Sequence, residues 1–121
     1  MTDEIVRRRL TLLRDLLAMR MPLGDAVRQL AAMTWDYDGD GVELTREHLA
    51  NALHRYLRGD VSEADIEVWA NQIEGRDDVQ IGPKSEQEIG DVLYELANPL
   101  LTQPLDPERA MQLMSRLNLS S

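Results

Sequence analysis

A chain of 121 residues can bury one sizeable core, and 43% apolar with 29% charged residues suits a single globular domain. The absence of cysteine excludes disulfides, thiolate metal sites and a thiol nucleophile, and it fits a reducing cytoplasm. A net charge of −9 repels phosphate backbones, which argues against direct nucleic-acid binding and for a basic protein partner.

The charge is uneven. Residues 36–95 hold 16 acidic and 5 basic residues, a net of −11, whereas residues 1–20 carry five arginines against Asp3, Glu4 and Asp15. The opening MTDEIVRRRL lacks the basic, apolar, small-residue order of a secretion signal. No apolar run approaches the roughly 20 residues of a membrane span, so a cytoplasmic protein is expected. With no Phe and six Met, the interior must be filled by aliphatic side chains that favour helices over sheets. The expected fold is all-α: one bundle of five to six short helices, over about residues 3–20, 22–33, 46–58, 63–74, 86–98 and 107–117.

The first helix has Thr2 as its expected N-cap, with Asp3 and Glu4 at the positive end of its dipole. Val6, Leu10, Leu13 and Leu17 form one apolar stripe, widened by Leu12 and Leu16. Arg7, Arg8, Arg9 and Arg14 fall partly outside it and read as a charged outer face. Pro22 ends this helix and starts a short second one, with Leu23, Val27 and Leu30 on its apolar side. Residues 34–44, TWDYDGDGVEL, read as a loop.

Thr45 should cap the third helix, whose buried face is Leu49, Leu53, Tyr56 and Leu57. Gly59 suits a left-handed helix end, and Ser62 with Asp65 makes a capping box for the fourth helix, with Val61 and Ile66 as a hydrophobic staple. Ile66, Trp69, Ala70 and Ile73 form its core stripe, and Gly75 stops it. Val79-Gln80-Ile81 reads as an extended segment too short to stand as a strand alone. Ser85 is expected to open the fifth helix through a capping box with Glu88, and Asn98-Pro99 to close it. Residues 100–105 read as an apolar connector lying on the core. Asp106 and Pro107 then start the last helix, which Met111, Leu113, Met114 and Leu117 anchor.

Catalytic chemistry has little to draw on. His48 and His54 lie six apart and point to different helix faces, unlike the i, i+4 pair of helical zinc motifs. Neither has a serine or cysteine partner at a recognisable spacing, and there is no phosphate-cradling glycine loop. A non-enzymatic protein without a cofactor is expected.

One motif stands out. Asp36, Asp38, Asp40, Gly41 and Glu47 match positions 1, 3, 5, 6 and 12 of an EF-hand loop, with the Val42 carbonyl at position 7, so calcium is the alternative ligand. The flanks argue against it: position 8 is Glu43 rather than an apolar residue, position 13 is His48, and no second loop exists to pair with the first. The same loop also reads as a contact surface, with Trp35 and Tyr37 as amphipathic anchors.

The run Tyr56-Leu57-Arg58-Gly59, Ser62, Trp69-Ala70-Asn71, Glu74-Gly75-Arg76-Asp77-Asp78 and Glu95-Leu96-Ala97-Asn98-Pro99, spread over residues 44–117, resembles the small acidic helical immunity proteins of bacteria, of the colicin D immunity kind. That resemblance implies an inhibitor whose acidic face plugs the basic cleft of a nuclease toxin, carboxylates standing where phosphates would bind. In such relatives the segment matching residues 35–44 looks like an acidic loop without regular calcium spacing, so the resemblance implies that the calcium-like match here is incidental. The partner-binding residues so expected are Trp35, Tyr37, Asp38, Asp40 and Glu43 in the loop, with Glu74, Arg76, Asp77 and Asp78 in the turn after the fourth helix. A nucleic-acid mimic acting on another enzyme is a further alternative.

Overall fold

The computed structural model describes residues 3–33 and 41–119, without the side chains of Asp3, Lys84, Asn118 and Leu119. In chain order the elements are α1 (Asp3–Leu17), α2 (Leu23–Ala31), β1 (Val42–Leu44), α3 (Arg46–Leu57), α4 (Glu63–Ile73), β2 (Val79–Ile81), a 3-10 turn (Pro83–Ser85), α5 (Glu86–Ala97) and α6 (Pro107–Leu119). The fold is a helical bundle carrying one very short two-stranded sheet.

The middle of the chain obeys its local chemistry. Thr45 caps α3: its hydroxyl accepts from the His48 N–H, and its own N–H donates to His48 Nδ1 at 3.0 Å. A histidine thus fills the place usually taken by Glu or Gln in a capping box. Accepting at Nδ1 requires the neutral ring with its proton on Nε2. Burial lowers the pKa of His48, which favours that form. Gly59, at φ +83°, ends α3, and the Asp60 N–H reaches back to the Arg55 carbonyl. Ser62 and Asp65 complete the expected capping box on α4. The Arg109 N–H donates to Asp106 Oδ1 at 2.7 Å, which caps α6.

Elsewhere the structure departs from expectation. Val42–Leu44, read as loop, pairs in parallel with Val79–Ile81, with Val42 opposite Val79 and Leu44 opposite Ile81. Parallel strands need a long crossover, and the α3–α4 hairpin supplies it. Helix α1 stops at Leu17 rather than near residue 20, because Met19 turns left-handed at φ 54° and the Arg20 N–H bonds the Asp15 carbonyl. Nothing in a methionine announces that conformation, which normally favours glycine. Ser85 makes no capping bond, because the 3-10 turn starting at Pro83 holds its backbone away from the extended cap geometry.

One contiguous apolar cluster joins all six helices and β1. Trp69 sits at its centre, fully buried, and its indole N–H donates to the Leu16 carbonyl at 2.8 Å. Asn51 Nδ2 donates to the Ala18 carbonyl at 3.1 Å. The Leu16 carbonyl also accepts from the Met19 N–H at 3.1 Å, and the two side-chain bonds fasten the end of α1 to α3 and α4. Met111, expected to close the bundle, is instead exposed, while Leu113 and Leu117 are buried.

Candidate functional site

The described end of the first acidic stretch, from Gly41 on, meets the turn after α4 through its backbone. The Val42 N–H donates to the Asp78 carbonyl at 2.9 Å. A Cβ on Gly41 would stand 2.3 Å from that same oxygen, so only glycine allows the approach. The glycine at the sixth position of the calcium-like motif therefore has a packing reason of its own.

Asp36, Asp38 and Asp40, with Trp35 and Tyr37, lie outside the described residues. Of the remaining calcium-motif positions, Val42 is buried with its main chain committed to the ladder. Glu47 lies in the first turn of α3, where its own backbone N–H and the Thr45 hydroxyl lower its carboxyl pKa. Among the described residues no three His, Asp or Glu side chains group closely enough to hold a metal. Glu43 is exposed on β1, and its carboxylate lies over Gly82. Together with Glu47 it edges an open groove of about 620 Å³ with an apolar side formed by Ile89 and Leu117.

The turn after α4 is a correction. Its charges were expected to face water and a partner, yet Arg76 is 6% exposed and Asp78 is 0% exposed. Asp78 accepts from Arg76 Nε at 2.8 Å, from Arg76 Nη2 at 3.1 Å and from Arg9 Nη1 at 2.9 Å. Burial alone would push the Asp78 carboxyl up, but the bonds and charges of the two guanidinium groups outweigh it and hold it below the usual range. Arg9, expected on an outer face, is 2% exposed. It lies on the same side of α1 as Leu12, Leu13 and Leu16, and from there reaches across to Asp78. A buried carboxylate clasped by two arginines is a structural clamp between α1 and the lead-in to β2. It leaves Asp78 and Arg76 no surface on which to meet a partner. Of the charged residues in that turn only Asp77 is exposed, and the half-buried Glu74 accepts from Asn98 Nδ2 at 3.3 Å.

The most exposed apolar surface lies at the end of α5 instead. Residues 100–105 were expected to lie on the core, but Leu100 is 100% exposed and Leu101 is 73% exposed, and only Leu105 is buried. These leucines are held by a bonded turn. The N–H groups of Leu101 and Thr102 both donate to the Asn98 carbonyl, at 3.0 and 3.1 Å. The Thr102 hydroxyl bonds the carbonyls of Asn98 and Glu95, and the Asn98 amide bonds the Tyr94 carbonyl and Glu74. These bonds hold the turn while its apolar side chains face outward.

Carboxylates border it. Glu63 and Glu67 of α4 share a crevice with Pro99 and Gln103, and Glu74 bonds Asn98. Among the described residues no cation lies within 4 Å of Glu63, Glu67 or Glu74, whereas neighbouring Glu95 is held by Arg109 through two short bonds. Sequence reasoning singled out Glu74 but passed over Leu100, Leu101, Glu63 and Glu67. The signal it had was an Asn-Pro turn followed by two leucines and a threonine able to bond back.

Comparison adds no relative: no protein-family model, curated protein or solved structure matches the chain.

Proposed function

We propose that this protein is a non-enzymatic inhibitor of the immunity kind, which occupies the basic cleft of a nuclease-type toxin. The observation that carries the reading is the Leu100-Leu101 turn, with its apolar side chains in water and its border of Glu63, Glu67 and Glu74, which have no cation within 4 Å among the described residues. Exposed leucines on a rigid turn lose little conformational freedom on binding. Carboxylates not neutralised by a cation steer a basic surface toward them and keep nucleic acid away. The chain's net charge of −9 has the sign this requires. The resemblance of residues 44–117 to immunity proteins supports the same reading, with the contact surface moved from the buried Arg76–Asp78 pair to the end of α5.

The test is inhibition of any basic nuclease domain found encoded beside the gene. The wild-type protein is expected to abolish cleavage at equimolar ratio. Leu100→Ser with Leu101→Ser should weaken that inhibition by at least about 30-fold, the range of a central hot spot. Inhibition that survives both this change and reversal of Glu63, Glu67 and Glu74 to lysine would place the contact elsewhere. A neighbouring nuclease left fully active by the wild-type protein would remove the immunity reading itself.

A further inference from the structure

A second feature lies away from the leucine turn and does not depend on that reading. Between the end of α1, the start of α2 and the α3–α4 hairpin is a cavity of about 520 Å³, within the range of small-molecule sites. Val61, Met19 and Met21 form its accessible apolar base, over the buried Leu16 and Trp69. Met19 is the residue held at φ 54°, so the wall of this cavity contains the one left-handed non-glycine residue among those described.

Four charged groups line the cavity: Arg20, Arg55, Asp60 and Asp65. Three are already engaged. Arg20 bonds Asp15 at 3.1 Å, Asp60 accepts from Arg58 at 2.7 Å, and Asp65 accepts from the Ser62 N–H at 2.9 Å. Arg55 differs. No carboxylate among the described residues comes within 4 Å of it, and its Nε is shielded from solvent without a hydrogen bond. In a chain with 22 acidic and 13 basic residues, a half-buried arginine left without an acid is the exception. The N-terminus of α2 opens at the same place: Leu23 and Gly24 line the cavity, and Pro22 caps it with no side-chain bond. Its dipole adds to the preference for an anion.

The geometry points to a binding site for a small organic acid, a single carboxylate on an apolar body. The carboxylate pairs with Arg55 near the first turn of α2, and the apolar body lies on Val61, Met19 and Met21. A charge-assisted bond to guanidinium supplies orientation, and the base supplies hydrophobic area. Asp60 and Asp65 set the limit on charge. A phosphate dianion would meet two carboxylates across the cavity, whereas a monoanion leaves the apolar contact to dominate.

Hexanoate is a suitable probe, and the methyl groups of Met19 and Met21 are reporters within a set of only six methionines. In ¹³C-methyl-methionine NMR, hexanoate is expected to shift these two signals saturably, with a dissociation constant below about 10 mM, as its few heavy atoms allow. Hexanol, the same chain without the charge, should bind about ten-fold more weakly. Arg55→Gln should cost a similar factor for hexanoate and nothing for hexanol, and Arg55→Lys should recover part of the loss. Equal binding of hexanoate and hexanol to the wild-type protein would overturn the carboxylate site, and that comparison needs no variant to fold. So would unchanged hexanoate binding in Arg55→Gln, or the absence of saturable shifts at Met19 and Met21.

Discussion

The turn after α4 and the turn after α5 invert each other. The first is written in charge, Glu74-Gly75-Arg76-Asp77-Asp78, and hides most of it; the second is written Asn98-Pro99-Leu100-Leu101-Thr102 and displays its leucines. What separates them is where the bonding partners come from. Asp78 and Arg76 go inside because Arg9, 69 residues away, arrives on α1 to complete the clamp. Leu100 and Leu101 stay outside because the turn's polar groups bond one another, which fixes the backbone before any apolar side chain reaches the core. Side-chain polarity gives the average expectation, and a specific partner reverses it.

The sharpest way to break the contrast is Asp78→Ala. It leaves Arg9 and Arg76 buried without their shared carboxylate, which should destabilise the fold by about 3–5 kcal/mol in urea denaturation. The same group carries a pH signature. Its folded pKa lies below the ordinary carboxylate value, so its contribution is fully present above about pH 4 and is lost as pH falls through the lowered value. Wild type and Asp78→Ala should therefore converge in stability toward low pH, and a gap that widened there would contradict the clamp.

A smaller effect is expected from Gly41→Ala. The new methyl would stand 2.3 Å from the Asp78 carbonyl oxygen, so β1 must move away from β2. A loss of about 1–3 kcal/mol is expected, the usual cost of forcing a methyl into a filled space. Adding calcium should not restore it, since the clash is between backbone segments. Recovery in calcium would return the glycine to a metal-loop role.

How much of this was legible follows the reach of each interaction. Thr45, Ser62 and Asp106 could be read as caps because their partners lie three residues on. Trp69 was readable as core because it repeats the stripe of Ile66 and Ile73. The Arg9–Asp78 contact had no local signature, although Arg9 lies one turn before Leu13 on the stripe that α1 buries. The β1–β2 pair was hidden for a similar reason, since each strand has three residues and neither is stable without the other. The acidic surplus of residues 36–95 was visible, but the division between clamped and open carboxylates depends on tertiary contacts. Composition therefore suggested a basic partner, while counting Arg76 and Asp78, which the fold buries, among the surface charges.

Thr102→Val probes the second turn in turn. It removes the hydroxyl that bonds the Asn98 and Glu95 carbonyls and keeps the side chain's shape. Those carbonyls are near water, so the stability loss should be only about 0.5–1 kcal/mol by thermal unfolding. Hydrogen exchange at the Leu101 and Thr102 amides should rise as the turn loosens. Unaltered exchange would mean that the backbone bonds alone set the turn.

The smallest stability effect belongs to the residues given the largest binding role. Leu100→Ser with Leu101→Ser should leave unfolding free energy within about 0.5 kcal/mol of wild type, because solvent-exposed side chains contribute little to folding. It should even rise slightly if the compact denatured state shelters these leucines better than the folded one does. Paired with Asp78→Ala, this divides the two turns cleanly: one substitution unfolds the protein through a charged turn, and the other leaves an apolar turn's fold intact. A loss of 2 kcal/mol or more, as expected for a buried leucine, would mean that Leu100 and Leu101 pack on the core after all. The docking surface would then have to be sought at Glu43 and Glu47 beside the groove of α3 and α5.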